Sequence, residues 1–311
     1  MKSFLTKTGI YFSIVITFLF VFQQMIDFGL KRSDKVPYKQ LNEVKRGKIN
    51  ASVLFLGSSR IKKHLNAKEF ESITGASTYN MGTDGTNIFM QEAIWNFYKS
   101  TNRSPKLLVI EFDMIRLEKD KIIFNKERFL PYYTNSYFLN AFAQIPGFNC
   151  ADVLIPFYKY HGYTQTVYTG FNSLFNSRSS ALDNDKGFEP LVGLMDVDSL
   201  PNKKSIEINM EEVEASLARI LVLSKAVQKL GGELILINTP RYRGGQNNIL
   251  NRERINNLLQ DFVDGNQLTF YDFEKGEKFI NSPKLFFDTE HLNEAGALLL
   301  TKEFASRLTN F

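Results

Sequence analysis

Residues 52–60 read Ser52-Val53-Leu54-Phe55-Leu56-Gly57-Ser58-Ser59-Arg60. An apolar run of this length, without polar alternation, fits a parallel strand covered on both faces. Gly57 lets the chain turn tightly, and the two serines then stand at the strand's carboxyl edge. Three further runs repeat the pattern: Lys106–Glu111 (KLLVIE), Glu233–Asn238 (ELILIN) and the shorter Leu268–Tyr271 (LTFY). Thr78–Asn80 reads as one more strand ending. Helical stretches separate them. Asn66 can cap one, with Glu69 three residues on, and Ile88–Lys99 is another. Met210–Leu230 is long and amphipathic, and Gly231-Gly232 stops it as helix C-caps do. Asn293 can cap a last helix running to Arg307. This rhythm predicts an α/β fold, a mainly parallel sheet between two helical layers.

The chain's 311 residues suffice for one large α/β domain or two small ones. A hydrophobic fraction of 43% and a charged fraction of 23% place it among folded rather than disordered proteins. The net charge of +5 comes from scattered Lys and Arg, and no nucleic-acid motif accompanies it, so nucleic acid is not an expected partner. The clusters Lys31–Lys35 and Lys45–Lys48 are either a solvated face or an attraction to an anionic membrane surface. A single cysteine, Cys150, excludes an intramolecular disulfide and a cysteine metal cluster. It lies among apolar and aromatic residues and reads as a small packing residue. No metal and no organic cofactor is expected.

Gly9–Ile26 (GIYFSIVITFLFVFQQMI) carries no charge and is just long enough to cross a bilayer as a helix. Gln23-Gln24-Met25-Ile26 is a poor cleavage site for a signal peptide, so an uncleaved signal anchor is expected after a short tail, residues 1–8. Lys2 and Lys7 before the span are nearly balanced by Lys31, Arg32 and Lys35 after it, so charge alone leaves the orientation open. Residues 27–50, charged and polar with one proline, read as a short, partly helical stalk. The remaining body, 51–311, is expected to be a single domain interrupted at about 120–205. That stretch holds Tyr132, Tyr133, Tyr137, Phe148, Phe157, Tyr158, Tyr160 and Tyr163. It reads as an insertion between two core strands. In an open sheet it would fall beside the ligand crevice, as a substrate lid, a docking surface or packing filler.

Three blocks can carry chemistry. Ser59, at the strand-to-helix turn, has an exposed hydroxyl and a backbone N–H able to face a developing oxyanion. Alone it could equally be a helix N-cap. The second block, Phe287-Asp288-Thr289-Glu290-His291-Leu292-Asn293, supplies a partner. The three-residue spacing lets Asp288 accept from the His291 imidazole and leaves the other ring nitrogen free to take a serine proton. Of the three histidines only His291 has this arrangement, and His64 and His161 read as structural or exposed. The third block is Tyr79-Asn80-Met81-Gly82-Thr83-Asp84-Gly85-Thr86-Asn87. Its glycines can aim backbone N–H groups at a bound oxygen, but it does not match a dinucleotide or phosphate-loop fingerprint. Arg60 reads as a surface residue or a contact for an anionic substrate.

Taken in order, LGSSR, YNMGTDG and DTEHLNEAG resemble the blocks of the SGNH (GDSL-like) hydrolase superfamily. The resemblance covers about residues 52–311 without the insertion, and Asp-x-x-His is its most specific piece. It implies a flavodoxin-like three-layer sheet and a serine esterase or acyltransferase. Ser59 would be the nucleophile, His291 the base and Asp288 the orienting carboxylate. Gly85, with Gly82 as fallback, would supply an oxyanion N–H. Two departures stand out. Ser58 replaces the family's usual Asp, and Asp113, in Ile110-Glu111-Phe112-Asp113-Met114, sits near the position of the oxyanion Asn. A carboxylate accepts but does not donate, so either Asn80, Asn87 or Arg60 replaces that donor or Asp113 binds something else. The anchor, the insertion and these departures look like the membrane-anchored branch that includes DltD and AlgJ-like proteins. That likeness implies an extracytoplasmic body and an acyl donor with a glycan or lipid acceptor in the cell envelope. It also implies a multi-span O-acyltransferase as partner. A plain carbohydrate or lipid esterase, or a non-catalytic envelope component with the same fold, remains the alternative.

Overall fold

The computed structural model describes residues 1–119, 121–176, 185–200 and 202–308. Parts of the expected insertion (120, 177–184 and 201) and of the expected last domain (309–311) lie outside the described residues. In chain order the α-helices are α1 (Lys2–Arg32), α2 (Lys39–Lys45), α3 (Ser59–His64), α4 (Ala67–Thr74), α5 (Ile88–Lys99), α6 (Ser136–Phe142), α7 (Ala151–Leu154), α8 (Thr164–Phe175), α9 (Met210–Lys229), α10 (Arg252–Gly265), α11 (Glu277–Ile280) and α12 (Glu294–Ser306). The strands are β1 (Val53–Leu56), β2 (Thr78–Asn80), β3 (Leu107–Glu111), β4 (Ser205–Ile206), β5 (Glu233–Asn238), β6 (Asn248–Ile249) and β7 (Thr269–Asp272). They divide between two compact units. Residues 1–46 and 121–176 form one, and the remaining described residues form the other.

The larger unit is built on a five-stranded sheet ordered β2-β1-β3-β5-β7, with every neighbouring pair parallel. Counting only these strands, the order is 2-1-3-4-5, the doubly wound, flavodoxin-like arrangement. Both faces are buried, which is why the strands read as unbroken apolar runs. On one face Val53, Phe55, Leu107, Val109, Ile235 and Ile237 share a core with Ile61, Phe70, Leu300 and Phe304 of α3, α4 and α12. The Phe55 and Phe70 rings meet edge to face at 5.1 Å. Leu54, Leu56, Leu108, Ile110, Leu234 and Leu236 are buried on the other face, and α5 and α9 pack together as the second helical layer. The connections leave β1 in both directions, to β2 on one side and β3 on the other, so the switch point of the sheet lies just past Leu56 and Glu111. Open α/β sheets bind their ligands at such a crevice. β4 and β6 form a separate two-stranded ladder that the sequence did not announce. Two-residue strands carry no periodicity to read.

The smaller unit holds segments that the sequence set apart as anchor, stalk and insertion. The first helix does not stop with the apolar run at Ile26 but continues to Arg32, because nothing before Pro37 breaks it. The expected stalk, 27–50, is therefore the end of α1 followed by α2. Tyr38, Leu41 and Val44 of that segment are buried. The Asn42 amide donates to Leu30 O at 2.8 Å and Ser33 O at 2.7 Å, pinning α2 under the end of α1. Residues 121–176 of the expected insertion pack in this same unit. Their aromatics stack on one another, as with Tyr133 on Phe142 at 4.9 Å, and α8 lies along α1. Residues 185–200 belong instead to the larger unit, where Phe188 joins the core. Among the described residues α1 is the one helix long and apolar enough to cross a membrane.

Candidate active site

Ser58, not Ser59, caps α3. Its Oγ accepts from Arg60 N at 3.3 Å, with backbone in the extended region. This local detail separates the two serines: one satisfies the helix start, and the other is left in the first turn with its hydroxyl uncommitted to the backbone. Gly57 is required by close approach, since a Cβ there would lie 2.2 Å from Ile61 Cγ1 and 2.8 Å from Glu111 Cβ. Glu111, at the end of β3, is buried and accepts from both Ser58 N and Ser58 Oγ, the latter at 2.9 Å. The turn that presents Ser59 is thus clamped from the neighbouring strand.

Ser59 Oγ lies 2.9 Å from His291 Nε2, across 232 positions of sequence. On the far side of the ring, His291 Nδ1 is 3.1 and 3.0 Å from the two Asp288 oxygens. A carboxylate only accepts, so Nδ1 carries the proton and Nε2 presents its lone pair to the serine hydroxyl. Asp288 Oδ1 also accepts the backbone N–H groups of Glu290 and His291 at 2.8 Å each. Partial burial would raise the Asp288 pKa, but the imidazole and these two amides outweigh it and hold the carboxyl below its usual range. The site is not sealed: the His291 side chain is 21% exposed and that of Asp288 47%.

The sites proposed for the oxyanion fare differently. Asn80 is buried, its amide donating to Ile61 O and Leu65 O, both at 2.8 Å, while its Oδ1 accepts from Gly82 N at 2.8 Å. This commits both Asn80 amide hydrogens and the Gly82 N–H to holding the loop, and neither residue is a free donor. Asn87 caps α5 through Met90 N and donates to Glu118 O at 3.2 Å. Gly85 takes a positive φ of 66° and is tied beside the serine turn. Thr83 N and Thr86 Oγ1 both donate to Gly57 O. Asp84 bridges Lys62 and Lys63 of α3 at 2.9 Å each. Burial would raise the Asp84 pKa, but the two ammonium groups drive it far below the carboxylate range. The backbone N–H groups of Ser59, in the first turn of α3, and of Gly85 remain the candidate donors.

Arg60 and Asp113 require correction. Arg60 is neither a surface residue nor a substrate contact: it is fully buried, with Nε on Thr239 Oγ1 at 3.2 Å and Nη2 on Asn238 Oδ1 at 3.1 Å and Thr239 O. Its Nη1 pairs with buried Asp113, and Arg241 lies 3.4 Å from the other Asp113 oxygen. Burial opposes ionisation of Asp113, but Arg241, Arg60 and Arg116 prevail and bring its pKa to about 2. Asp113 is therefore committed to Arg60 and, with Glu274, to Arg241 rather than facing an oxyanion.

His64 was expected to be structural or exposed, and it is wholly buried. Its Nδ1 bonds Thr239 Oγ1 and its Nε2 accepts from Leu292 N, both at 2.9 Å. Glu111, Thr239 and this function of His64 escaped the sequence analysis. The one available signal was a carboxylate closing the otherwise apolar run KLLVIE.

No protein-family model matches the sequence, and no curated protein matches it. Among solved structures, it is similar to a Bacteroides fragilis protein provisionally named an acylhydrolase. The two share 12% identity over 88% of this chain and 95% of that one, with a TM-score of 0.41. So slight a likeness carries no weight for chemistry.

Proposed function

We propose that this protein is a serine-dependent acyl hydrolase or acyltransferase of SGNH type, acting from a membrane anchor on an acylated cell-envelope glycan or lipid. The observation that supports it most is the continuous relay from Ser59 Oγ through the His291 ring to Asp288. In the proposed reaction Ser59 Oγ attacks an ester or thioester carbonyl and its proton passes to His291 Nε2. Asp288 stays ionised and stabilises the imidazolium. The oxyanion accepts from Ser59 N–H and Gly85 N–H. Collapse of the tetrahedral intermediate breaks the bond to the leaving alcohol or thiol, which takes the proton from Nε2 and leaves an acyl-Ser59. Water or a sugar hydroxyl, deprotonated by His291, then attacks and releases the acyl group. In this reading α1 anchors the chain with its body outside the cytoplasm, beside a multi-span O-acyltransferase partner.

A fluorophosphonate probe tests the chemistry directly. Labelling is expected in the native chain, absent in Ser59→Ala and strongly slowed in His291→Ala; indifference to both substitutions would refute it. The half-open triad favours a second reading, plain hydrolysis, because water can reach the acyl-enzyme. An acyl-nitrophenyl donor offered with and without an oligosaccharide separates the two, since acylated sugar marks transfer and free acid alone marks hydrolysis.

A further inference from the structure

The smaller unit holds a surface that the proposed chemistry does not use. In α8, Thr166, Gly170 and Ser173 are buried, and they recur at helical spacing on one face. This face of small side chains permits close approach to α1. A Cβ on Gly29 would lie 1.9 Å from Gly170 O, and one on Gly170 would meet Ile26 and Leu30. Tyr168, Phe171 and Phe175 lie on another face at spacings of three and four and are exposed, Tyr168 by 61% and Phe175 by 74%. No charged residue occurs in α8. Beside it the turn after α7 exposes Leu154 by 74%, together with Ile155 and Tyr158.

The same turn grips α1 within its apolar run. Phe157 N–H donates to Gln23 Oε1 at 2.6 Å, and the Phe157 ring lies 5.2 Å from that of Phe22. Lys159 Nζ pairs with buried Asp27 at 2.8 Å, and the Tyr160 hydroxyl donates to the same carboxylate. Gln23 and Asp27 of α1 are therefore satisfied by protein, while the apolar side chains Phe4, Leu5, Ile10, Phe12, Phe18 and Val21 face outward. Gly9–Ile26 would be about 27 Å long as a helix, close to the thickness of a hydrocarbon core. Phe157, against Phe22 and Gln23, then falls in the last turn of the span, at the depth of the headgroup boundary.

We infer that α8 and the Leu154–Tyr158 turn form a collar around α1 that lies in the lipid headgroup region, with Leu154, Ile155, Tyr168, Phe171 and Phe175 dipping into the acyl boundary. Continuity with the outward face of α1 identifies the occupant as lipid. Uncharged aromatic and aliphatic residues at this depth are what interfacial helices and aromatic belts present. The inference rests on the membrane anchoring proposed above, though not on the serine chemistry.

Full-length chain in phospholipid vesicles without any other protein tests it. In a Cys150→Ser background, an environment-sensitive fluorophore is placed in turn at Phe12→Cys, Ile155→Cys, Phe175→Cys and, as aqueous control, Lys229→Cys. The collar predicts blue-shifted emission at 155 and 175, loss of iodide quenching, and quenching by lipids carrying a doxyl group near the carbonyl. Iodide quenching at both equal to that at 229, with 12 in lipid, overturns the collar alone. A label at 12 that also stays in water overturns the anchor with it. Protection from iodide without doxyl quenching marks a protein contact instead and overturns the assignment to lipid. Two labelled positions guard against one variant that fails to fold.

Discussion

His64 Nε2 accepts the backbone N–H of Leu292 at 2.9 Å, so the residue after the proposed general base hangs from the last residue of the helix that begins with the proposed nucleophile. The two rings stand edge to face, 6.2 Å apart. Removing the acceptor in His64→Ala leaves a buried N–H unpaired, a cost of about 1–3 kcal/mol. A lower unfolding midpoint and slower fluorophosphonate labelling are expected, with His64→Gln recovering part of both. Unchanged labelling in His64→Ala would show that Leu292 needs no such support.

The same histidine predicts an acid limb for stability. Burial first, then the charges of Arg60, His291 and Lys63, hold its pKa well below the ordinary value. Below about pH 6.5 the unfolded chain binds a proton that folded His64 refuses, so stability falls as pH falls. Urea unfolding between pH 7 and 5 should show this slope, and His64→Gln should flatten it.

For the triad, Ser59→Ala should abolish labelling. Asp288→Asn keeps the shape but favours the wrong imidazole tautomer, and a loss of about 10⁴ in rate is expected by analogy with serine proteases. Both variants should unfold close to the native midpoint, because Ser59 and Asp288 are only partly buried. A full-rate Asp288→Asn would remove Asp288 from the mechanism.

Asp113→Ala strips the carboxylate partner from buried Arg60, while Arg241 keeps Glu274 at 2.9 Å. Breaking a buried pair in this way costs about 3–5 kcal/mol, far more than an exposed charge would. Its depressed pKa contributes stability above about pH 4 that is lost as pH falls towards 2. Calorimetry of Asp113→Ala and Asp113→Asn checks the first point, and their shallower acid slope checks the second.

Gly57→Ala forces a methyl group to within 2.2 Å of Ile61. Overpacking of this kind costs about 1–3 kcal/mol. Because α3 carries Ser59, labelling should slow as well. A variant with native unfolding and native labelling would show that α3 can shift freely.

Much of this was legible in the sequence, for physical reasons. Strands buried on both faces write themselves as unbroken apolar runs, and SVLFL, KLLVIE and ELILIN each became a core strand. Asn66 and Asn293 cap helices through their own side chains, a local signal independent of tertiary structure. Asp288 and His291 are close in sequence, so their pairing follows from spacing. What could not be read depends on long-range packing. Arg60 looks like any surface arginine until Asp113, Asn238 and Thr239 are brought round it from two other strand ends. The end of α1 looked like a stalk because its charged partner, Lys159, lies 132 positions away. Asn80 looked like a free amide because its acceptors are backbone carbonyls, invisible in any sequence.

The contact between Ser58 and Glu111 has a consequence for how this turn can change over descent. An aspartate at position 58 would set a second carboxylate against the buried one from β3, and two such groups cannot both stay ionised at that range. Neither position can drift alone: Ser58→Asp needs Glu111 neutralised in the same lineage, and loss of Glu111 leaves the serine's hydroxyl and N–H without their acceptor. The pair is a ratchet, in which either residue can change only together with the other.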